Sequence, residues 1–384
     1  MRSICANKMN YLYTEYKNNE FDYFWNKEYV KSESLGVEKI SNGVIIPLNE
    51  AVYAGVYNES GQFVALSAER WESKDVLPKD LSCEYVDEEV IYFASFTTGH
   101  YGDVLIDDLS RLWYVKKNKP NCRLAYICNR VDIAKKEWVL HILSYLGIQL
   151  DSLLYVEKPT RFKNVIIPQK SMIHDEYIHP AYPGIYETIW QNCKYIDREW
   201  GGVTKIYLTR SNLKRKKEVG EAIFEEFFKI NGFKVVAPEQ LSFEEQVILF
   251  HNCTEVASIE GTHAHNIVFK GTSGCHYKQV ILRKQSECIP RQIQLNRITN
   301  GDVTFIDVWK EPFRGFPISH DRGPFLIEWN ENIEQYARDN GMVIPANPYR
   351  DKWKNRIKYI AKCMAYFIKH QIKKIYLCLK HYLR

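Results

Sequence analysis

The segment VASIEGTHAHNIVF, residues 256–269, begins as a short apolar run and ends in a helical pattern. Glu260 and Gly261 separate the two parts, and Thr262 opens the second. A short apolar strand, a turn and a helix in this order form the unit that builds a parallel α/β sheet. Because ligands bind where the strands of such sheets end, the segment also predicts the position of a binding site.

The same alternation continues on both sides of this segment. Strands are predicted at 205–208, 233–237, 279–283 and 303–308, and helices at 217–231 and from residue 242 onward. Ser242 and Glu245 fit a capping box, in which each side chain bonds the backbone of the other residue. These elements are sufficient for one Rossmann-like domain.

A second series of strands and helices precedes the first along the chain. Strands are predicted at 90–96, 123–128, 153–156 and 164–167, and helices at 103–115 and 133–146. Residues 171–200 show no clear period and are interpreted as the connection between the two series. We therefore predict an α/β protein with two Rossmann-like domains facing a cleft, at residues 1–198 and 199–345, and a tail at 346–384.

The composition is that of an ordinary globular chain. Of 384 residues, 45% are apolar and 26% charged, and no apolar run is long enough to cross a bilayer. The first residues mix charges with aromatics, unlike a secretory signal, and the ten cysteines form no C-x-x-C pair. These features favour a cytoplasmic protein with reduced thiols.

The net charge of +5 is unevenly distributed. Residues 351–384 hold ten Lys or Arg and one acid, which leaves 42 basic and 46 acidic residues in the rest of the chain. Apolar residues in the tail recur at steps of three and four, which predicts a basic amphipathic helix. We expect it to bind an anionic membrane surface, at the inner face of the cell membrane. Packing on the body or on a partner helix is the alternative, and the apolar face argues against nucleic acid.

The first candidate catalytic residues follow the strand predicted at 90–96. His100 lies between Gly99 and Gly102, which let the backbone turn sharply and present the imidazole at the cleft. Asp107 lies one to two turns into the next helix. Either side chain is suited to take a proton from a hydroxyl nucleophile. The alternative is that His100 is only a residue of the loop or of the helix start, and that Asp107 only offsets the helix dipole.

A second group of candidates follows the strand predicted at 205–208. Thr209, Arg210 and Ser211 come directly after it, and Arg215 belongs to a run of four basic residues. An arginine at a strand end is well placed to hold a diphosphate through two hydrogen bonds. Basic residues at a helix start oppose the helix dipole, which hints at an anion bound nearby.

The third group lies in the segment quoted first. Gly261 permits close approach of a ligand, and the helix that opens at Thr262 offers free N–H groups to a phosphate. Glu260 is suited to bind sugar hydroxyls or to act as a base, while His265 and Asn266 face the cleft or cap the loop. His263 and His265 point to different sides of a helix, so no metal site is predicted.

Several common motifs are missing from the sequence. There is no Asp-x-Asp, which disfavours a manganese-dependent transferase, and no G-x-G-x-x-G or P-loop. No G-x-S-x-G indicates a serine hydrolase. We therefore expect neither a metal nor a tightly bound cofactor.

Residues 206–283 resemble the catalytic domain of glycosyltransferase family 61, in its bacterial capsule and lipopolysaccharide branch. The resemblance rests on residues 208–211, Arg215, residues 232–238 and 241–246, and the strand-loop-helix at 256–269. Residues 99–101, Asp107 and residues 110–113 are similar to the family's Gly-His-aromatic and Arg-Leu-Trp segments. Where the family often has His-Gly-Ala, this chain has Glu260-Gly261-Thr262.

The resemblance implies a GT-B arrangement, inversion at the transferred carbon and no essential metal. The expected donor is a nucleotide-sugar, with UDP or another nucleoside diphosphate, and the expected acceptor is a glycan or a lipid-linked glycan. The predicted function is synthesis of a bacterial surface polysaccharide. The altered His-Gly-Ala segment leaves a second hypothesis open, a non-catalytic scaffold in a polysaccharide-assembly complex.

Overall fold

The computed structural model describes residues 2–6, 12–16, 27–49, 53–68, 76–118, 121–129, 132, 134–195, 200, 202–213, 217–286, 290–310 and 323–382. These residues form a mixed α/β protein with two seven-stranded sheets. The strands are β1 (Arg2–Ala6), β2 (Leu12–Tyr16), β3 (Val37–Ser41), β4 (Val44–Ile46), β5 (Gly55–Tyr57), β6 (Glu84–Phe96), β7 (Arg123–Cys128), β8 (Leu153–Tyr155), β9 (Thr160–Pro168), β10 (Met172–Ile173), β11 (Tyr177–Ile178), β12 (Lys205–Leu208), β13 (Glu218–Val219), β14 (Lys234–Val236), β15 (Glu255–Ile259), β16 (Tyr277–Arg283), β17 (Gly301–Asp307) and β18 (Phe325–Leu326).

The helices lie between and around these strands. They are α1 (Tyr101–Asp103), α2 (Leu112–Asn118), α3 (Glu137–Tyr145), α4 (Pro183–Cys193), α5 (Ala222–Ile230), α6 (Phe243–Asn252), α7 (Pro290–Ile298), α8 (Glu331–Asp339) and α9 (Lys352–Tyr382). A π-helical turn, Val104–Asp108, continues α1, and the segment Thr262–Lys270 forms a 3-10 helix.

The first sheet contains the strands predicted in the first half of the chain. Its order is β5-β4-β9-β6-β7-β8, with β3 also paired to β9. Strands β6, β7, β8 and β9 are parallel, which confirms the parallel sheet expected from the alternation. The early strands β3, β4 and β5 add an antiparallel part.

The second sheet has the order β1-β2-β17-β16-β15-β12-β14. Its five strands β12, β14, β15, β16 and β17 are those predicted in the second half of the chain, and they run parallel. Strand β2 adds to β17, so the first residues of the chain complete this sheet, although the predicted division assigned them to the first half.

The predicted helix over 217–231 is wrong at its start. Strand β13 pairs with β18, and α5 begins only at Ala222. Gly220 separates the two elements with a φ of +104°, and a Cβ there would lie 2.1 Å from the Ile327 carbonyl oxygen. The close approach of β18 therefore prevents a continuous helix, because only glycine fits this turn. The capping box of α6 at Ser242 and Glu245 is confirmed.

The segment interpreted as a connection contains a buried helix. The side chains of Ile185, Tyr186 and Ile189 in α4 are completely buried. The ring of Tyr186 lies 5.9 Å from that of Phe269 in the 3-10 helix, at a steep angle. One apolar cluster consequently runs through both halves of the chain.

Helix α9 packs on the second half near its start. Tyr359 and Cys363 are 1% exposed and form a small cluster with Val219 and Leu326. Arg356 donates hydrogen bonds of 2.7 and 2.9 Å to the two carboxylate oxygens of Glu328. Among the helices of the described residues, none combines the length and apolar character that crossing a bilayer requires.

Candidate active site

A cavity of about 660 Å³ lies where strands of both sheets end. Residues after β6 form one wall, and residues after β12 and β15 form the other. The lining residues are His100, Tyr101, Gly102, Asp103, Thr209, Arg210, Leu213, Pro238, Glu239, Gln246, Thr262, His263, Asn266 and Arg291. The two predicted series therefore contribute to a single cavity.

The first wall is the short helix α1. His100 precedes it, is exposed, and donates its backbone N–H to the Thr98 hydroxyl at 3.1 Å. A Cβ on Gly102 would lie 2.6 Å from Cγ2 of Thr262 and 3.6 Å from Cδ2 of His265. Gly102 thus allows α1 to approach the 3-10 helix closely, which narrows the cavity and places His100 at its edge.

Asp107 is held away from the cavity by an arginine. Its carboxylate lies 3.2 Å from Nη2 of Arg291, whose Nη1 lies 3.0 Å from the carboxylate of Asp103. Burial opposes ionisation of Asp103, yet hydrogen bonds from Thr98 and Arg291 leave its pKa below the ordinary value. Asp107 is not part of the cavity wall, whereas Arg291 and Asp103 are.

Arg291 was missed by the sequence reasoning. It is the second residue of α7, where a basic side chain opposes the helix dipole, and this position was the available signal. Its guanidinium joins the second half of the chain to the two acids of the first half. The side chain is 12% exposed, so the pair with Asp103 is shielded from water.

Arg210 forms the centre of the second wall. Its Nη1 lies 3.0 Å from Nδ1 of His263, and its Nε lies 3.3 Å from the carboxylate of Glu218. Its backbone N–H donates to Glu221 at 2.9 Å. The two side-chain contacts therefore fix the direction of the guanidinium, and the bond to Glu221 holds the backbone of Arg210.

Glu218 is the buried anion behind this arginine. Lys284 also reaches it, with Nζ 3.0 Å from the carboxylate. Burial opposes ionisation of Glu218, but Lys284 and Arg210 lower its pKa to about 2. Arg210 and Lys284 share the single carboxylate of Glu218, so Glu218 neutralises only one of these two positive charges.

His263, which the sequence analysis considered only as a metal ligand, is a further residue of the cavity wall. Burial, together with the charges of Arg210 and Lys284, lowers its pKa well below the ordinary value, so the ring is neutral. Because Nδ1 accepts from Arg210, the proton of the neutral ring sits on Nε2. Within the described part of the chain, Nε2 has no hydrogen-bond partner. The ring therefore lines the cavity and carries an unpaired N–H, whose nitrogen is itself buried.

Glu260 lies behind the cavity and not in its wall. It is 3% exposed, and within the described ranges neither carboxylate oxygen has a partner in hydrogen-bond geometry. Burial raises its pKa to about 7, although Lys284 and Arg283 act in the opposite direction. Such a group changes its charge near neutral pH.

The other residues predicted after β15 divide into two sets. Thr262 and Asn266 line the cavity, and Asn266 donates to Gln246 at 2.9 Å. His265 points away and bonds Gln292 at 2.8 Å, and burial beside Arg291 lowers its pKa to about 4. At Gly261, a Cβ would come within 3.1 Å of the Arg210 guanidinium.

The site residues predicted after β12 do not all lie at the same cavity. Thr209 lines the cavity, and its hydroxyl donates to Glu225, as does that of Ser211. Ser211 lines a different cavity, of about 410 Å³, beside α9. Arg215 lies outside the described residues.

Residues 101–282 match the model of a family described as Glycosyltransferase 61, over just under half of the chain. The matched region includes the cavity residues from Tyr101 to Asn266, begins one residue after His100 and ends before Arg291. The chain has no match among curated proteins.

Proposed function

Starting from the family match, by which this chain is a glycosyltransferase, we propose that it transfers a sugar from a nucleotide-sugar to a glycan or lipid-linked acceptor. The reaction is proposed to be inverting and independent of metal, and the product to be a bacterial surface polysaccharide. The donor is a sugar linked to UDP or another nucleoside diphosphate. These finer statements rest on the resemblance to the capsule and lipopolysaccharide branch.

The observation that carries the proposal is the positive cluster at the second wall. Arg210 is fixed by Glu218 and His263, and it faces the same cavity as Thr262. A leaving nucleoside diphosphate gains negative charge in the transition state, and donors that are already oriented stabilise it without rearrangement. Arg210 is suited to that task, and the N–H of the neighbouring His263 ring is a second candidate donor.

An inverting transfer also needs a base for the acceptor hydroxyl. We assign this role to His100 first, because its side chain is exposed at the cavity edge. Asp107 ranks second, because its carboxylate already forms an ion pair with Arg291. Glu260 is the third, because it lies behind the wall.

The proposed arrangement is GT-B-like, with the donor on the second half and the acceptor on the first. Support comes from the single cavity lined by residues after β6, β12 and β15. The domain limits 1–198, 199–345 and 346–384 stay predictions, as does a cytoplasmic location.

Thermal shift with a panel of nucleotides and nucleotide-sugars tests donor binding. A ligand at 100 times its dissociation constant adds about 2.7 kcal/mol to the free energy of unfolding. We expect Arg210→Ala to abolish the shift while keeping the fold. A panel in which no nucleoside diphosphate or its sugar raises the melting temperature would contradict the proposal.

Transfer to an acceptor distinguishes the first two candidate bases, His100 and Asp107. We expect His100→Ala to lower kcat by roughly 10²–10⁴-fold, the usual contribution of a general base, with donor binding unchanged. Asp107→Asn should lower kcat less. Normal turnover in His100→Ala, together with a loss in Asp107→Asn, would reassign the base.

The same variants test the scaffold hypothesis, which the Glu260-Gly261-Thr262 segment keeps open. A scaffold predicts that polymer production in cells continues with Arg210→Ala and Asp107→Asn. Loss of polymer with Arg210→Ala, at an unchanged protein level, would exclude it.

A further inference from the structure

Helix α9 is attached to the body along one side only. Tyr359 and Cys363 are buried against β13 and β18, and Arg356 is paired with Glu328. Beyond Cys363 the side chains with a described burial class are exposed or half-exposed up to Tyr376. The body therefore covers the first part of the helix, whereas the described side chains between residues 364 and 376 are at least partly exposed to solvent.

The exposed side of α9 carries a continuous apolar stripe. Trp353, Met364 and Ile375 are separated by 11 residues, and so are Ile357 and Ile368. Since 11 residues make about three turns, these five side chains share one side of the helix. Trp353 is 74% exposed and Ile375 60%, and the stripe lies about 130° around the axis from Tyr359 and Cys363. Packing on the body therefore does not cover it.

The charge of α9 distinguishes between the kinds of surface that can cover this stripe. Residues 352–382 contain nine Lys or Arg and no acid. Two such helices packed side by side would place like charges together, which disfavours pairing with a second copy. An anionic lipid surface accepts an apolar stripe and basic flanks together.

We propose that α9 binds in the plane of an anionic phospholipid bilayer, with the stripe of Trp353, Ile357, Met364, Ile368 and Ile375 inserted among the headgroups. The basic side chains contact the acidic lipids. Because α9 packs on β13, whose Glu218 holds Arg210, the donor-binding half of the chain is attached directly to the membrane. This inference does not depend on the chemistry proposed for the cavity.

Flotation of the full chain with vesicles tests the proposal. Vesicles of phosphatidylcholine alone are compared with vesicles that also contain phosphatidylglycerol. We expect binding only to the anionic vesicles, and weaker binding at higher salt. Equal binding to both vesicles, or no binding to either, would overturn the proposal.

Two sets of variants locate the contact. Ile368→Gln with Ile375→Gln should reduce binding at least tenfold, because each removes apolar area from the stripe. Val343→Gln is the matched control, since Val343 is an exposed apolar residue outside the helix, and it should bind normally. Circular dichroism verifies that the helix is retained.

The charge contribution has its own control. Replacing Lys354, Lys358 and Lys369 by Gln should weaken binding about 100-fold, since each basic residue near the surface contributes about fivefold. The same change at Lys79, Lys117 and Lys278 alters the net charge equally and should have little effect. Equal losses in the two triple variants would mean that total charge, and not α9, directs binding.

Two further outcomes count against the proposal. If Ile368→Gln with Ile375→Gln converts an oligomer to a monomer and leaves vesicle binding intact, the stripe joins copies of the chain. If the stripe variant binds vesicles normally but loses an acidic protein partner, the occupant is a protein. The nucleotide thermal shift on the same samples reports separately on the cavity.

Discussion

At the scale of single residues, ionising the buried carboxyl of Glu260 destabilises the folded protein. Its carboxyl is buried, and no partner within the described residues bonds its oxygens in regular geometry. Burial raises its pKa to about 7, so the folded protein holds a proton that the unfolded chain releases above its ordinary pKa of 4.5. Between these values the unfolded state binds fewer protons, and the free energy of unfolding falls as pH rises.

Glu260→Gln should remove this dependence. Relative to wild type, the variant is expected to become more stable by up to about 3 kcal/mol as the pH increases from about 5 to about 8. Denaturant unfolding of both proteins at the two pH values measures the difference. An equal stability difference at both pH values would show that Glu260 keeps an ordinary pKa.

His263 provides the second prediction at this scale. If its Nε2–H donates to the donor diphosphate, His263→Ala should weaken nucleotide-sugar binding by roughly 10–100-fold, the usual effect of one hydrogen bond to a charged group. His263→Gln keeps an N–H donor and should recover part of the loss. Calorimetric titration measures both affinities, and equal affinities for all three proteins would remove His263 from the site.

At the scale of elements, helix α4 fixes the turn after the 3-10 helix. Glu187 accepts hydrogen bonds of 3.0 Å from the backbone of Thr272 and Ser273. Burial opposes its charge, but these bonds and those of Gln191 and Ser273 side chains lower its pKa to about 2. The turn at 271–274 thus anchors a helix of the other half.

Gly271→Ala should break this contact. The residue has a φ of +57°, and a Cβ would lie 2.6 Å from Oε2 and 2.9 Å from Cα of Glu187. Strain and overpacking together should cost about 2–4 kcal/mol. Gly341→Ala is the matched control, because its φ is +62° and nothing lies within 4 Å of the new Cβ. Similar losses of stability in the two variants would show that the α4 contact is unimportant.

At the scale of the whole molecule, the two sheets share one apolar cluster. It includes Phe93 and Tyr126 from strands of the first sheet and Val256 and Phe305 from strands of the second. Residues of α4 belong to the same cluster. A large apolar interface opposes independent movement and unfolding of two halves.

We therefore expect a single unfolding transition. Calorimetry should give one peak, and tryptophan fluorescence and far-ultraviolet circular dichroism should report the same midpoint. Two separated transitions would show that the halves are stable without the shared cluster.

The sequence by itself determined the local elements. Short apolar runs predicted strands such as β7, β12 and β15, and Ser242 with Glu245 predicted the start of α6. It also located Arg210 and His100 after strand ends, where the cavity lies. These features depend on neighbouring residues, because propensity, capping and turn geometry act over a few positions.

The tertiary structure alone decided which side chains meet. Arg291 bonds Asp103 across 188 residues, β2 adds to the sheet of β17, and β18 stops a helix from starting before Ala222. No local pattern encodes such pairs, since they form only when distant elements pack and exclude water from charged groups. For the same reason the low exposure of Glu260 and the neutral ring of His263 follow from packing and not from residue type.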